Sequence, residues 1–120
     1  MKEVPVPRVT RTDVLRVVRR EFPERDPAEI VDTLDHYGTE EWQPDRNRVQ
    51  LAILKLSERS LKTLERLVDQ ARSDFRDVIA PAEFPGFCEV GFVGIGEMAE
   101  REVDALIDAD WRQYQEWLDA

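Results

Sequence analysis

The strongest constraint on the fold of this chain is a repeat of apolar residues at alternating intervals of three and four between residues 60 and 80. The repeat consists of Leu61, Leu64, Val68, Ala71, Phe75 and Val78. This spacing is typical of a helix that packs along its whole length against another helix. Ser60 is placed as the N-cap of this helix and Pro81 as its end, so one long helix is predicted here.

A second helix is predicted just before it, over about residues 44–57. Its apolar residues extend around most of its circumference, which is typical of a central, buried helix. The connection Ser57-Glu58-Arg59-Ser60 is long enough only for a tight turn, so the two helices should form an antiparallel hairpin. Arg59 falls where a left-handed residue is expected, a conformation that costs a non-glycine residue about 1 kcal/mol. The hairpin of residues 44–57 and 60–80 is therefore the predicted centre of the fold.

Two shorter helices are predicted on the N-terminal side of the hairpin. Residues 1–9 carry two prolines and no periodic pattern, so we expect an extended arm. A first helix then begins with Thr10 or Thr12 as its N-cap and ends before Pro23. A second helix begins after Asp26 and runs to about residue 37.

The C-terminal third of the chain combines a glycine-rich segment with a final helix. Residues 86–96 hold four of the five glycines among Phe, Val and Ile, so we expect a flexible apolar connection, either a loop or a short hairpin. The last helix should run from about Glu97 to Leu118, unless Asp110 caps a separate final helix. The prediction for residues 1–120 is one all-α domain, a small bundle of about five helices.

The charge of the chain is negative and unevenly distributed. The formal net charge is −9; residues 1–20 carry +4 and residues 83–120 carry −8. An acidic excess argues against nucleic-acid binding, which needs basic groups facing phosphates. Either the basic N-terminal segment docks on the acidic C-terminal helix within one molecule, or the acidic end binds a basic protein partner.

Two further features of the sequence suggest the cellular compartment of the protein. The chain has a single cysteine, which fits a reducing compartment. No segment has the pattern of a signal peptide or of a membrane span, so we expect a cytoplasmic protein without membrane contact.

Several segments resemble a family of small uncharacterised bacterial proteins. These are RVQLAILKLSE at residues 48–58, LxxLxxLVDxAxxDFRDVIAxAEFP at 61–85, LDHYG at 34–38 and DWRQYQEWL at 110–118. Together they cover most of residues 27–119 except the glycine-rich segment. The resemblance implies an all-helical bacterial protein and no known activity, and it implies a glycine where this chain has Arg59.

Nucleophilic and phosphate-binding motifs are weak in this sequence. His36 and Cys88 are the only residues of their types, but they are 52 positions apart and no third orienting group is apparent. The glycines of residues 91–96 run G-x-x-G-x-G, the reverse of a dinucleotide-binding fingerprint. We therefore expect no catalytic dyad, no bound cofactor and no structural zinc.

One carboxylate pattern supports an enzymatic alternative. The pairs Glu97/Glu100 and Glu116/Asp119 match the spacing of all-helical, Mg²⁺-dependent nucleotide pyrophosphohydrolases of the MazG type. On one continuous helix, Glu97 and Glu116 would be about 28 Å apart and could not share an ion within one chain. A dimer could bring opposite ends together.

The large aromatic side chains point instead to a non-enzymatic protein-interaction or regulatory module, which is the function that the sequence favours. Aromatics at helical spacing belong more often to a core than to an interface, but an acidic terminal helix with three of them also resembles a docking segment. A homodimer that forms through part of the apolar stripe of residues 60–80, or through part of the last helix, is also compatible with this sequence. The candidate interaction residues are Phe87, Phe92, Trp111, Tyr114 and Trp117.

Overall fold

A computed structural model describes residues 2–120, and all regular secondary structure within that range is helical. This confirms the all-α prediction, but with seven helices rather than about five. The helices are α1 (Arg11–Glu21), α2 (Pro27–Leu34), α3 (Arg46–Ser57), α4 (Leu61–Ser73), α5 (Arg76–Glu83), α6 (Pro85–Glu97) and α7 (Glu100–Asp119).

The predicted hairpin is formed by α3 and α4 at the centre of the core. The apolar residues of α3 from Val49 to Leu54 are completely buried, and Leu56 is partly buried. The Ser60 hydroxyl caps α4 by accepting the Thr63 N–H at 3.2 Å. Arg59 has a φ of 65°, as predicted, and Glu58 before it has a φ of 50°. Two consecutive left-handed residues turn the chain back within four positions, so the hairpin forms without a glycine.

The helix predicted over residues 60–80 is two helices, because the chain leaves helical geometry at Asp74. Asp74 has a φ of −156° and its carboxylate accepts the Arg76 N–H at 3.0 Å, which favours a new helix start. Pro81 lies inside α5 rather than ending the helix. The apolar spacing still describes burial correctly, because both helices turn the stripe toward the same core.

Helix boundaries elsewhere depend on local capping. Thr10 and Asp13 form a reciprocal capping box, so α1 starts where predicted. Helix α2 ends at Leu34, about one turn earlier than predicted, and α3 starts two residues after Pro44. The last helix starts at Glu100 and is continuous through Asp110, which therefore does not begin a separate helix.

The prediction that residues 86–96 form a loop or a short hairpin is wrong, because residues 85–97 form α6. Gly91 breaks this helix with φ 78° and ψ 168°, a backbone conformation that favours glycine. Helix α6 and the first half of α7 contribute no buried residue to the main core. The second half of α7 contributes Tyr114 and Leu118 to it. The radius of gyration is 15.0 Å, against roughly 14 Å for a compact chain of this length.

The basic N-terminal segment docks on the acidic last helix, which confirms the intramolecular interpretation of the charge distribution. Arg16 and Arg20 donate to the Leu118 carbonyl at 2.9 and 3.0 Å. The Arg20 guanidinium also lies 5.0 Å from the centre of the Trp117 ring. Cations at the C-terminal carbonyls of a helix are favourable for its dipole, so these contacts stabilise the end of α7.

Two buried tyrosines differ in their hydrogen bonding, and this predicts opposite effects of removing their hydroxyls. The Tyr37 hydroxyl donates to the Pro44 carbonyl at 2.7 Å, whereas the Tyr114 hydroxyl is buried and has no hydrogen-bond partner among residues 2–120. Tyr37→Phe should lower the free energy of unfolding by about 1 kcal/mol, and Tyr114→Phe should leave it unchanged or raise it by up to about 1 kcal/mol. Urea titrations of the two variants measure this, and a larger loss for Tyr114→Phe would contradict it.

The Asp35 carboxylate joins the ends of α1, α2 and α3. It accepts from Arg11 at 2.9 Å and from Arg46 at 2.7 Å, and the Gln50 amide donates to it at 3.1 Å. Burial by itself raises the pKa of Asp35. The hydrogen bonds from Arg46, Gln50 and Arg11 together lower it by more, so the pKa lies below its usual value.

This lowered pKa predicts a loss of stability in acid. The contribution of Asp35 should be complete above the pKa of about 3.9 that an aspartate has in the unfolded chain, and should disappear as the pH falls through the lower folded value. Asp35→Asn should therefore be less stable than the parent at neutral pH and should show a shallower decline below about pH 4. The melting temperatures of the parent and of Asp35→Asn can be measured as a function of pH. An equal decline of the two melting temperatures below about pH 4 would contradict the assignment.

Candidate functional site

Helix α6 is apolar and exposed, which makes it the least usual surface of the molecule. None of its residues is buried, and Phe92 and Val93 are 92% and 79% exposed. Val90 is 39% exposed on the same helix. Single exposed apolar side chains are common, but a contiguous group of them marks an interaction site.

A groove of about 470 Å³ lies beside this helix, between α5, α6 and α7. Its lining is apolar throughout, apart from one thiol. It is formed by Val4, Ala80, Phe84, Phe87, Cys88, Gly91, Phe92 and Ile107. We call this groove together with Val90, Phe92 and Val93 the α6 face.

Helix α6 is held in place by α7 rather than by its own buried side chains. The buried Asp110 carboxylate accepts the N–H groups of Gly86 and Phe87 at 2.8 and 3.0 Å, which caps the N-terminus of α6. Gln113 donates to the Ala82 carbonyl at 3.2 Å, near the end of α5. The sharp bend between α5 and α6 is thus fixed by two side chains one turn apart on α7.

Gly86 is required by this arrangement because a side chain there would collide with its partners. A Cβ at Gly86 would lie 2.8 Å from an Asp110 oxygen and 2.9 Å from a methyl of Leu106. The glycine therefore permits the close approach of the two helices, and the sequence prediction of a flexible connection missed this role.

The surroundings of the α6 face are acidic. Residues 85–109 hold six acidic and one basic side chain, a net charge of −5. Glu89 and Glu97 are exposed on α6 itself. Two of the remaining acids contact the N-terminal arm: the Lys2 ammonium pairs with Asp108, and the Lys2 backbone N–H donates to Asp104 at 2.9 Å.

The α5–α6 pair also has a membrane-like composition. Within residues 2–120, no single helix is long and apolar enough to cross a membrane, whereas α5 and α6 together reach the required length and composition but are bent by 99°.

Cys88 is located among apolar side chains rather than in a catalytic arrangement. Burial and then the nearby Asp110 charge raise the pKa of its thiol, which disfavours the thiolate. The groove that Cys88 lines contains no histidine, and His36 lies just beyond the end of α2.

The four carboxylates of the enzymatic alternative are not brought together in one chain. Glu97 ends α6 and Glu100 begins α7, whereas Glu116 and Asp119 lie at the opposite end of α7. The 16 residues from Glu100 to Glu116 span about 24 Å of helix. Among residues 2–120, no cluster of three or more His, Cys, Asp or Glu side chains could hold a metal ion.

The aromatic candidates divide between core and surface. Tyr114 is only 1% exposed and belongs to the core, which the sequence indicated as the more frequent place for aromatics at this spacing. Trp117 packs against the core and donates its indole N–H to Glu21 at 3.2 Å. Trp111 is half-buried on α7. Phe87 lines the groove and Phe92 is exposed, and these two remain candidates.

The predicted dimer surfaces are also occupied within the chain. Four stripe residues of the helix 60–80 region are buried in the core, and the other two pack against it. On α7, Val103, Ile107, Tyr114 and Leu118 are buried. These stripe residues therefore pack within the chain, whereas Phe92 and Val93 on α6 are exposed.

Some residues of the site were not identified from sequence. Val90, Val93 and Phe84 contribute to the α6 face, and Asp110 supports it. A helix that is apolar on all sides would have drawn attention to the valines, but its glycines favoured a loop.

Comparison of this chain with protein-family models, curated proteins and solved structures finds no match.

Proposed function

We propose that this chain is a non-enzymatic protein-interaction module and that the α6 face is its docking surface. The observation that carries the proposal is the 92% exposure of Phe92 on a helix with no buried residue. We place this module in the bacterial cytoplasm, because the sequence resembles a bacterial family and its single cysteine fits a reducing compartment.

The energetics favour burial of this surface by a partner. Removing a phenylalanine or valine side chain from water is worth about 1.5–3 kcal/mol when it is buried completely. Large aromatic side chains in such positions dominate the binding energy of many protein interfaces. Phe92 and Val93 are the most exposed of the large apolar side chains among residues 2–120.

The groove fits apolar side chains of a protein better than a polar small molecule. Its volume lies within the range of ligand sites, but such sites normally include several polar groups that orient the ligand. The Cys88 thiol is the single weakly polar side chain of this lining. An apolar side chain from a partner needs no such groups, so the groove is suited to accept an anchor residue.

The proposal can be tested by photo-crosslinking in the native host. A benzoylphenylalanine probe replaces Val93 on the α6 face or, as a control, the exposed Arg72 at the end of α4. We expect a discrete cross-linked protein from position 93, absent from position 72 and lost when Phe92→Ser is added. Circular dichroism should show that the variants retain their helices. Identical cross-linking from positions 93 and 72 would refute the α6 face as the docking surface.

A further inference from the structure

We propose that the α6 face selects a protein segment in which an apolar side chain is flanked by Lys or Arg, and that the chain's own N-terminal arm competes with that segment for the groove. This inference rests on the proposed function and adds the chemistry of the partner.

The first argument is charge complementarity. Residues 85–109, which form α6 and the first half of α7, carry a net charge of −5, and Glu89 and Glu97 on α6 are exposed. A basic segment is attracted to such a region, whereas an acidic one is repelled. Apolar burial supplies the affinity, and the surrounding carboxylates determine which sequences can approach.

The second argument is that the N-terminal arm already shows this pattern in contact with the site. Val4 lines the groove, and Lys2, two residues earlier, pairs with Asp108 on α7. An apolar side chain that lines the groove and a cation on an α7 carboxylate are thus combined within three residues. The arm has no regular secondary structure over residues 2–9, so it can leave the groove without breaking a helix.

The same charges disfavour a second copy of this chain as the occupant. Two copies meeting through α6 would bring together two regions that each carry −5, within molecules of net charge −9. Like charges placed opposite each other oppose association. A basic partner gains from the charges that a homodimer would have to overcome.

The groove is also preorganised for binding. Asp110 and Gln113 fix the bend that forms one of its walls, so little ordering is required when a partner arrives. A surface ordered in advance binds more tightly, because less conformational entropy is lost on association.

The test uses two matched synthetic peptides with the full chain. Each is a fluorescein-labelled amphipathic helix of about 18 residues, roughly five turns, with the same leucine face and with either Lys or Glu at all charged positions. Fluorescence anisotropy should show saturable binding of the Lys peptide, weakened at high salt, and binding of the Glu peptide at least about tenfold weaker.

Two variants determine whether the binding uses the α6 face. Phe92→Ser should weaken Lys-peptide binding by about tenfold or more, as expected for loss of an aromatic anchor. Trp42→Ser removes another exposed aromatic, 62% exposed and located between α2 and α3, and should leave binding unchanged. Equal binding by the parent and by Phe92→Ser would overturn both this inference and the proposed docking surface.

Other outcomes would overturn the partner chemistry while leaving the docking surface in place. These are equal binding of the two peptides, both lost in Phe92→Ser, and a parent dimer in sedimentation that Phe92→Ser dissociates. Binding to phosphatidylcholine vesicles that is lost in Phe92→Ser would assign the surface to a membrane and overturn both proposals. Absence of any Lys-peptide binding would overturn the inference, whereas the crosslinking experiment tests the docking surface separately.

Competition by the arm has its own matched pair of variants. Val4→Ser weakens the packing of the arm against the groove, so the arm should leave the groove free in a larger fraction of the molecules. The affinity for the Lys peptide should rise in proportion to that fraction, by about threefold or more. Val6→Ser alters a neighbouring exposed valine that does not line the groove, and should have no effect. Unchanged or reduced affinity in Val4→Ser would refute the competition.

Discussion

Replacing Glu83 with alanine should lower the free energy of unfolding by about 3–5 kcal/mol, the effect expected when one partner of a buried ion pair is removed. Glu83 is 3% exposed and accepts two hydrogen bonds from Arg48, at 2.8 Å from Nε and 2.7 Å from Nη2. The pair joins the start of α3 to the end of α5. In Glu83→Ala the largely buried Arg48 guanidinium would lose its bidentate partner.

Chemical denaturation monitored by circular dichroism measures this loss. Arg25→Ala is the control, because Arg25 and Glu29 form an exposed pair at 3.2 Å whose removal should cost less than about 1 kcal/mol. Replacing both buried partners, as Arg48→Met with Glu83→Leu, should recover much of the stability since no buried charge remains. Equal losses in Glu83→Ala and Arg25→Ala would contradict the structural importance of the buried pair.

Replacing Asp110 with asparagine should destabilise the chain by about 2–3 kcal/mol and loosen α6 in particular. The two Asp110 oxygens each accept one backbone N–H, from Gly86 and Phe87. An asparagine side chain presents one oxygen and one NH₂ group. One of the two backbone donors would therefore face another donor at a buried position.

The loosening of α6 can be followed through its cysteine. Burial and the Asp110 charge both raise the pKa of the Cys88 thiol, so Asp110→Asn should increase its reactivity toward a disulfide reagent at mildly alkaline pH. Amide exchange should accelerate at Gly86 and Phe87 more than in α3. Asp119→Asn changes an exposed aspartate at the end of α7 and should alter neither. Unchanged amide exchange at Gly86 and Phe87 in Asp110→Asn would contradict the capping role.

Much of the fold could be predicted from periodic apolar residues and caps. The spacing of the stripe from Leu61 to Val78 correctly indicated one continuous buried face, and Ser60 and Thr10 correctly marked helix starts. The break at Asp74 was missed, because it depends on the extended backbone of one residue, whose carboxylate accepts the Arg76 N–H. The apolar period continues across that break without interruption.

The candidate site was only partly predictable. Phe87 and Phe92 were identified from their position among glycines, but their environment was expected to be a loop. Trp117 and Tyr114 were candidates for either the core or an interface, and in the structure Tyr114 is buried while Trp117 packs against the core. Periodicity places residues on one face of a helix, but it does not indicate whether that face meets the same chain or another molecule.

Local sequence was therefore sufficient for the helical class and the central hairpin, because these depend on residue spacing. The opposite charges of the two ends were also visible in the sequence, but docking within one chain was one of two alternatives, and the contacts of Arg16 and Arg20 with the end of α7 are a finding of the tertiary structure. The conformation of residues 85–97 depended on tertiary contacts. A segment with four glycines has weak helical preference, and here it is helical because Asp110, 24 positions after Gly86, supplies the cap. That long-range contact presents the apolar side chains of α6 to solvent and forms the groove beside them.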